Sequence, residues 1–333
     1  MLVRDGIGRN PAVRAVGSMW PKIRERLRLM HILHTPLKET WGYDLMSDGI
    51  NIFSTPEYQE ADIVHLHWVN QGMLSVEQVK AMTTSGKKVF WTLHDEWPYL
   101  GFEHYDGQRN CHHVMALSRR MTIQNMIGAS GIHFIGCSRW ITQRARAAMP
   151  GVDVTHINNC VPHTLFHPSD MSEARKALHL PQDKQIVLFC AQNIHNERKG
   201  YTYMLQALAQ LPSVMPLIIG KGGLSLPSHM MPLAYAAADV FATPSLMDNL
   251  PNTIAESLSC GTPCVAFRVG GIPEMIEHGR TGYLAEPNNA YDLAQGISQV
   301  LAHAEYRKEA ERSAQRLFSP KDIAQAHIAL YRK

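Results

Sequence analysis

Short apolar runs alternate with amphipathic segments along almost the whole chain. In the first half, apolar runs predict strands at 63–66, 89–93 and 132–136, and helical spacing occurs at 20–33, 76–83, 117–127 and 140–148. The second half restarts the pattern, with strands expected at 185–191, 217–220, 239–244 and 263–267, and helices at 201–209, at 233–237, after Pro251 and from 290 onwards. This alternation predicts an α/β fold whose parallel sheets are covered by helices on both faces.

Composition and length are those of an ordinary two-domain globular protein. The chain has 333 residues, of which 45% are hydrophobic and 18% charged, with a formal net charge of +3. A polar stretch at 158–170, rich in asparagine, proline and histidine, predicts the linker between the two domains. Such a small net charge predicts no nucleic-acid partner. The sequence contains no run of 18 apolar residues and no signal-peptide pattern at its start, so we expect a cytoplasmic protein without a membrane span.

The six cysteines lie mostly in apolar, strand-like surroundings. This placement favours reduced core thiols over a disulfide framework, in agreement with a cytoplasmic protein. Cys260 and Cys264 have three residues between them, but no second ligand pair accompanies them. We therefore expect them to be packing residues. The cysteines are Cys111, Cys137, Cys160, Cys190, Cys260 and Cys264.

The segment from Ala236 to Gly271 carries the strongest functional signal. It predicts a buried strand, an acidic loop, a helix opened by Pro251 and Asn252, a second strand and a glycine turn. Asp248 precedes the helix and Glu256 lies a turn inside it, so both carboxylates can face one ligand at the helix start. Free N–H groups and a partial positive charge at a helix N-terminus suit a diphosphate. The layout therefore predicts a sugar-nucleotide site.

These motifs together resemble the family 4 retaining GT-B glycosyltransferases, of the colanic-acid or exopolysaccharide type. The family's Glu-x7-Glu signature corresponds to Asp248-x7-Glu256, with aspartate in the first position. The resemblance extends over most of the chain after about residue 60. Its other parts are Asp62–Trp68, Trp91–Asp95, Cys137–Trp140, Glu197–Gly200 and Gly270–Glu274.

The resemblance implies a GT-B fold, in which two Rossmann-like domains face a cleft. It places an acceptor-side domain at 1–160, a nucleotide-sugar donor domain at 161–319, and a final helix at 320–333 that crosses back to the first domain. Residues 1–5 resemble the family's second strand. The family's first strand–loop–helix unit is therefore expected to be absent from the acceptor-side domain.

The resemblance also implies a role for each matching residue of the donor site. Glu256 is expected to accept hydrogen bonds from the ribose hydroxyls, and Asp248 to contact hydroxyls of the transferred sugar. Arg198 and Lys199 are expected to neutralise the leaving diphosphate, and His94 to touch the donor sugar from the other domain. Backbone N–H groups facing sugar and phosphate are expected at Asn249, Leu250, Asn252, Thr253, Gly270 and Gly271.

Simpler interpretations remain open for each of these residues. Glu256 can be an exposed helix residue, Asp248 a loop carboxylate, and Arg198–Lys199 a solvated basic pair. A basic pair at a helix start opposes the helix dipole, which favours a bound anion. His94 is one of 18 histidines, and most histidines are structural. His65, His67 and Asp95 lack the rest of a metal-ligand set, so no metal is expected.

The sequence thus predicts a retaining, metal-independent enzyme without a cofactor. It would move a sugar from a nucleotide-diphosphate sugar to a saccharide hydroxyl, on a lipid-linked acceptor in exopolysaccharide or cell-surface polysaccharide biosynthesis. Helix 20–33, with basic and apolar residues, is either an ordinary surface helix or a contact with anionic lipid at the inner face of the membrane. The alternative function is a non-catalytic nucleotide-sugar binding protein, or a truncated remnant of such an enzyme.

Overall fold

A computed structural model describes residues 1–3, 12–106, 113–128 and 130–333. The chain forms two compact units, Met1–His156 and Ile157–Lys333. Residues 4 and 5, part of the segment that resembles the family's second strand, lie outside the described residues, as does Cys111. The expected crossing of the last helix to the first domain stays a prediction.

The first unit contains two parallel sheets and the helices that cover them. A two-stranded sheet pairs β1 with β2, and a four-stranded sheet has the order β3-β4-β5-β6, with β3 at its edge. The strands are β1 (Leu2–Val3), β2 (Arg14–Ala15), β3 (Ile63–Leu66), β4 (Lys88–Leu93), β5 (His133–Gly136) and β6 (Val154–His156). The helices are α1 (Trp20–Leu33), α2 (Pro56–Glu60), α3 (Val76–Thr83), α4 (Trp97–Leu100), α5 (His113–Gly128) and α6 (Arg139–Ala148).

The core of this unit lies around β4, which is flanked by strands on both sides. Trp91 on β4 stacks on Phe134 of β5 with ring centroids 6.0 Å apart, and both rings are fully buried. Helix α6 begins where Ser138 accepts a hydrogen bond from the Ile141 N–H at 3.0 Å. A serine cap of this kind satisfies one of the free donors of the first turn.

The second unit is a five-stranded parallel sheet with helices on both faces. Its strands are β7 (Ile186–Asn193), β8 (Met215–Lys221), β9 (Val240–Thr243), β10 (Cys264–Phe267) and β11 (Gly282–Ala285), in the order β11-β10-β9-β7-β8. Its helices are α7 (Met171–Ala177), α8 (Tyr201–Leu208), α9 (Met231–Ala237), α10 (Asn252–Ser259), α11 (Ala290–Leu301), α12 (Tyr306–Leu317) and α13 (Pro320–Tyr331). The chain proceeds from β7 to β8 on one side and then to β9 on the other side.

The predicted α/β architecture is confirmed, and the observed elements lie within two residues of most predicted bounds. Strands β9 and β10 and the first five residues of β7 are buried, which explains why each of them appears in the sequence as an uninterrupted apolar run. The sequence pattern did not predict β2, β6 or β11. These strands have two to four residues, too few to show a period. In the described ranges, no helix has the length and apolar character needed to cross a membrane.

Candidate functional site

Most of the predicted site residues lie at the carboxyl edge of the sheet in the second unit. Arg198 and Lys199 follow β7, Asp248–Thr253 follow β9, and Gly270–Gly271 follow β10. These three strands are neighbours, and the chain changes direction between β7 and β9. In open α/β sheets, ligands bind beyond the carboxyl ends of the strands at such a switch point. The topology therefore brings together residues that are up to 73 positions apart.

Asp248 forms an ion pair with the two cations of the loop after β7. Its Oδ2 lies 2.6 Å from Lys199 Nζ and 3.4 Å from Arg198 Nη1. Arg198 also donates from Nη1 to the Met247 carbonyl at 2.7 Å, and its own carbonyl accepts from the Leu246 N–H at 2.8 Å. All three charged side chains are largely shielded from water. The cluster carries two positive charges and one negative charge, so it retains net positive charge for an anion.

Two glycines allow the loops of the site to touch each other. Gly270 has φ +55°, and a Cβ there would lie 1.7 Å from the Asp248 carbonyl oxygen. Gly200 has φ +67°, and a Cβ there would lie 1.8 Å from the Pro244 carbonyl oxygen. Any side chain at either position would push the loops apart and would also be strained at a positive φ. These contacts explain why the predicted Lys-Gly and Gly-Gly turns require glycine.

The loop after β9 leads directly into α10. Asn249 and Leu250 are buried, and the Asn249 carbonyl accepts from the Gly271 N–H at 2.9 Å. Pro251 precedes the first residue of the helix, Asn252, whose Oδ1 accepts from Asn159 Nδ2 at 3.3 Å. Thr253 in the first turn is half-buried. The predicted backbone positions therefore form one continuous wall between the loop and the helix start.

Glu256 projects from the same helix and is held by a tyrosine. The Tyr235 hydroxyl of α9 donates to Glu256 Oε2 at 2.9 Å, and Cys190 Sγ of β7 lies 3.7 Å from that hydroxyl. The ring of Tyr235 is fully buried and packs edge-on against Phe241. Glu256 is thus not the exposed helix residue of the simpler interpretation.

Burial sets the protonation behaviour of this group of side chains. It raises the pKa of Glu256 above its usual value, while the hydrogen bond from Tyr235 acts in the opposite direction. Burial also raises the pKa of Tyr235, and it raises the pKa of the Cys190 thiol to about 12. Glu256 and Lys199 both act electrostatically on Cys190, so the acidic and basic parts of the site lie near the same strand end. Tyr235 and Cys190 therefore stay neutral hydrogen-bonding groups around the carboxyl group of Glu256.

Tyr235 is the residue of this site that the sequence analysis did not single out. It lies in a run of alanines, Ala234-Tyr235-Ala236-Ala237, where it is the one side chain with a hydroxyl group. A polar ring in a helix that is otherwise small and apolar is a usable signal. Its partner, however, is 21 residues away on another helix, and only the folded chain reveals the pairing.

His94 belongs to the first unit, where it follows β4 directly. Its Nε2 lies 3.0 Å from Nδ1 of His67, which follows β3. Burial lowers the pKa of His94, and the nearby Asp95 carboxylate offsets this only in part, so the neutral imidazole is favoured. Asp95 accepts hydrogen bonds from Trp68 Nε1 at 3.0 Å and from His104 Nδ1 at 2.7 Å. The predicted role of His94 toward a donor sugar stays a prediction.

The described residues contain no group of three or more His, Cys, Asp or Glu side chains that could hold a metal ion. Metal independence stays a prediction, which chelation experiments can test.

One family model of known proteins matches the part of the chain that contains the candidate site. Residues 184–303 match the family model described as "Glycosyl transferases group 1", and this range includes every predicted donor-site residue of the second unit. The fold of the chain is the α/β GT-B glycosyltransferase fold with parallel sheets.

Curated relatives share part of their sequence with this chain. The D-inositol 3-phosphate glycosyltransferase of Mycolicibacterium smegmatis is 32% identical over 211 residues, which are 55% of this chain and 46% of that protein. The enzyme of the same name from Mycobacterium leprae is 30% identical over 219 residues, 56% of this chain and 48% of that protein. The chain therefore matches about half the length of these relatives.

Solved structures support the fold over a larger share of the chain. Sucrose-phosphate synthase from Thermosynechococcus elongatus superposes with a TM-score of 0.71 at 22% identity, covering 84% of this chain and 74% of that one. Anabaena Alr3699/HepE in complex with UDP gives a TM-score of 0.66 at 20% identity, covering 82% and 79% respectively. At these identities the likeness concerns the fold.

Proposed function

We propose that the chain is a retaining, metal-independent glycosyltransferase. It moves a sugar from a nucleotide-diphosphate sugar to a hydroxyl group of a saccharide acceptor. The observation that carries this proposal is the cluster of Lys199, Arg198 and Asp248 beside the start of α10, at the switch point of the sheet. The match of residues 184–303 to group 1 glycosyltransferases supports the same reaction class.

The proposed mechanism follows from where charge develops. When the bond between the anomeric carbon and the phosphate oxygen breaks, negative charge grows on the leaving diphosphate. Lys199 and Arg198 stabilise that charge, and preplaced cations of this kind act mainly in the transition state. The acceptor hydroxyl attacks the anomeric carbon from the same face and gives its proton to the departing phosphate oxygen. The sugar therefore keeps its anomeric configuration.

Asp248 has a second task in this proposal. In the structure Asp248 Oδ2 pairs with Lys199 Nζ at 2.6 Å. A bound diphosphate competes for the same ammonium group, which frees the carboxylate to accept hydrogen bonds from sugar hydroxyls. Glu256, held through Oε2 by Tyr235, accepts the ribose hydroxyls. His94 is assigned to contact the donor sugar from the other unit.

The acceptor is assigned from the sequence motifs. The motifs resemble enzymes of exopolysaccharide biosynthesis, so we assign a saccharide hydroxyl on a lipid-linked acceptor at the cytoplasmic face of the membrane. Helix α1 supports a peripheral lipid contact, because Trp20, Ile23 and Leu27 are 67%, 41% and 58% exposed beside Arg24 and Arg28. The curated relatives named above are inositol 3-phosphate enzymes, which makes that compound the second acceptor to test.

Binding and turnover assays test the proposal in sequence. Titration calorimetry with UDP and GDP, with and without EDTA, should show binding that the chelator does not change; loss of binding with EDTA would refute the metal-free mechanism. HepE was solved with UDP-glucose, so this donor comes first in transfer assays with lipid-linked saccharides and inositol 3-phosphate. Nuclear magnetic resonance of the product should show a retained anomer. Nucleotide binding with neither hydrolysis nor transfer would favour a non-catalytic binding protein.

Lipid binding needs a separate measurement. The protein should sediment with vesicles containing anionic lipid, and Leu27→Glu should reduce the bound fraction several-fold. Leu205→Glu, at a leucine of α8 that is 49% exposed, is the matched control. Equal binding by both variants would exclude α1 as the contact surface.

A further inference from the structure

Asp248 is held beside the cations of the donor site by contacts of its side chain and of the main chain around it. Its Oδ2 lies 2.6 Å from Lys199 Nζ. Arg198 donates to the carbonyl of the preceding residue, Met247, at 2.7 Å, and a Cβ at Gly270 would lie 1.7 Å from the Asp248 carbonyl oxygen. The main chain is thereby fixed, and an aspartate has a single methylene between the main chain and its carboxyl group. The carboxylate therefore stays near Lys199 when a ligand binds to the same ammonium group.

A diphosphate bound by Lys199 lies close to this carboxylate. An ammonium group donates to a phosphate oxygen over about 2.8 Å. Together with the 2.6 Å between Lys199 Nζ and Asp248 Oδ2, this limits the distance between that phosphate oxygen and the carboxylate oxygen to about 5.4 Å. Both side chains are largely shielded from water, so screening between two charges at this distance is weak. The negative charges of the phosphate and of Asp248 therefore repel each other.

The sugar nucleotide and the nucleoside diphosphate product present different groups to Asp248. In the sugar nucleotide, the terminal phosphate is esterified and carries a single charge, and the sugar brings hydroxyl groups that donate hydrogen bonds to a carboxylate. In the product, the terminal phosphate has a second ionisation with a pKa of about 6, so it is mostly doubly charged at neutral pH. Asp248 thus meets hydrogen-bond donors in the first case and additional negative charge in the second.

We propose that Asp248 makes the site discriminate against the free nucleoside diphosphate and thereby promotes release of this product. The inference rests on the proposed function, which assigns the diphosphate to Lys199 and Arg198. Cations alone favour the product over the donor, because the product carries the larger negative charge. The carboxylate reduces that advantage by repelling the additional charge, and it stabilises the bound donor by accepting hydrogen bonds from the sugar hydroxyls.

A purely structural role of Asp248 predicts a different result. If the carboxylate only keeps Lys199 in place, its removal lets the ammonium group move, and every diphosphate ligand loses affinity alike. If the carboxylate discriminates between ligands, its removal changes their affinities unequally and strengthens the binding of the product. The relative affinity for product and donor is therefore the quantity that separates the two roles.

The test titrates the full chain by calorimetry with UDP, with UDP-glucose and with UDP that is methylated at its terminal phosphate. The methyl ester has the charge of the donor but no sugar. In Asp248→Asn, which keeps the shape of the side chain without its charge, UDP should bind about tenfold more tightly, equivalent to about 1.4 kcal/mol. The methyl ester should gain less affinity than UDP, and UDP-glucose should gain least. The guanosine counterparts of the three ligands are titrated in parallel.

Three further variants separate the charge of Asp248 from its shape and position. Asp248→Glu keeps the charge and should keep the wild-type ratio of the UDP and UDP-glucose dissociation constants. Asp248→Ser removes the charge with a different shape and should shift this ratio in the same direction as Asp248→Asn. Glu173→Gln is the matched control, because it removes a carboxylate that pairs with Lys176 at 2.7 Å on the exposed surface of α7. It should leave all three affinities unchanged, and urea unfolding shows that each variant is folded.

Two kinds of result would overturn the inference. An equal change in affinity for all three ligands in Asp248→Asn would leave Asp248 as a structural partner of Lys199, and unchanged or weaker binding of UDP would exclude the repulsion. In both cases, nucleotide binding by the unaltered chain still supports the proposed function. Failure of the unaltered chain to bind either nucleotide series would overturn the proposed function and this inference together.

Discussion

Replacing Lys199 by alanine removes the cation closest to the acidic loop of the site. Lys199 Nζ lies 2.6 Å from Asp248 Oδ2, and the two side chains are only 23% and 10% exposed. Arg198, with Nη1 at 3.4 Å, remains to compensate part of the lost charge. A hydrogen bond between charged groups contributes about 1.5–3 kcal/mol, so the free energy of unfolding of the variant should fall by at most that amount.

The larger effect should fall on turnover. Charge on the leaving phosphate grows as the glycosidic bond breaks, so the contact with Lys199 strengthens in the transition state. Losing one such preorganised donor typically costs about 10²–10³ in kcat, while the affinity for the sugar nucleotide should fall much less. Steady-state transfer kinetics and calorimetry with the nucleoside diphosphate measure the two quantities separately.

The matched control is Lys176→Ala. Lys176 Nζ lies 2.7 Å from Glu173 Oε1, but both side chains are more than 60% exposed and the pair is in α7. Exposed ion pairs contribute little to stability, so this variant should keep wild-type kinetics and nearly wild-type stability. If Lys199→Ala keeps its kcat and loses only affinity, Lys199 is a binding residue and the transition-state cation must be sought at Arg198.

Four further predictions concern the glycine contact, the carboxylate of the site and its tyrosine partner, and a buried acid in the first unit. Gly270→Ala should lower the free energy of unfolding more than Gly279→Ala does. Both glycines have a positive φ, which penalises alanine by roughly 1–2 kcal/mol. Of the two, only Gly270 has an atom where the Cβ would lie, the Asp248 carbonyl oxygen. Equal losses in urea unfolding would disprove the clash. Glu256→Gln should weaken nucleotide binding roughly ten- to hundredfold, because hydrogen bonds to a charged group contribute about 1.5–3 kcal/mol. Tyr235→Phe removes the hydrogen bond that lowers the pKa of Glu256 against the effect of burial. As pH falls, the variant should therefore lose its affinity for the nucleotide at a higher pH than the wild type does. An unshifted pH profile would mean that Tyr235 only packs. Burial, together with the neighbouring Asp44, raises the pKa of Glu25 to about 9. The folded chain therefore holds a proton that the unfolded chain releases above about 4.5, so stability should fall as pH rises from 4.5 to 9. Glu25→Gln should flatten this slope in urea titrations, and an unchanged slope would place the responsible group elsewhere.

The sequence by itself determined the types and order of most strands and helices, and the candidate residues. Strands β9 and β10 and residues 186–190 of β7 are buried, so their apolar runs are unbroken and visible without any structure. The loops between them contain charged residues and glycines in a recognisable order. Local patterns of this kind need no knowledge of distant contacts.

Only the tertiary structure decided which of those residues meet. Lys199 and Asp248 are 49 positions apart, and Tyr235 and Glu256 are 21 apart; each pair is joined by strands or helices packed side by side. The same holds for Gly270, whose need for glycine comes from a carbonyl oxygen on another loop.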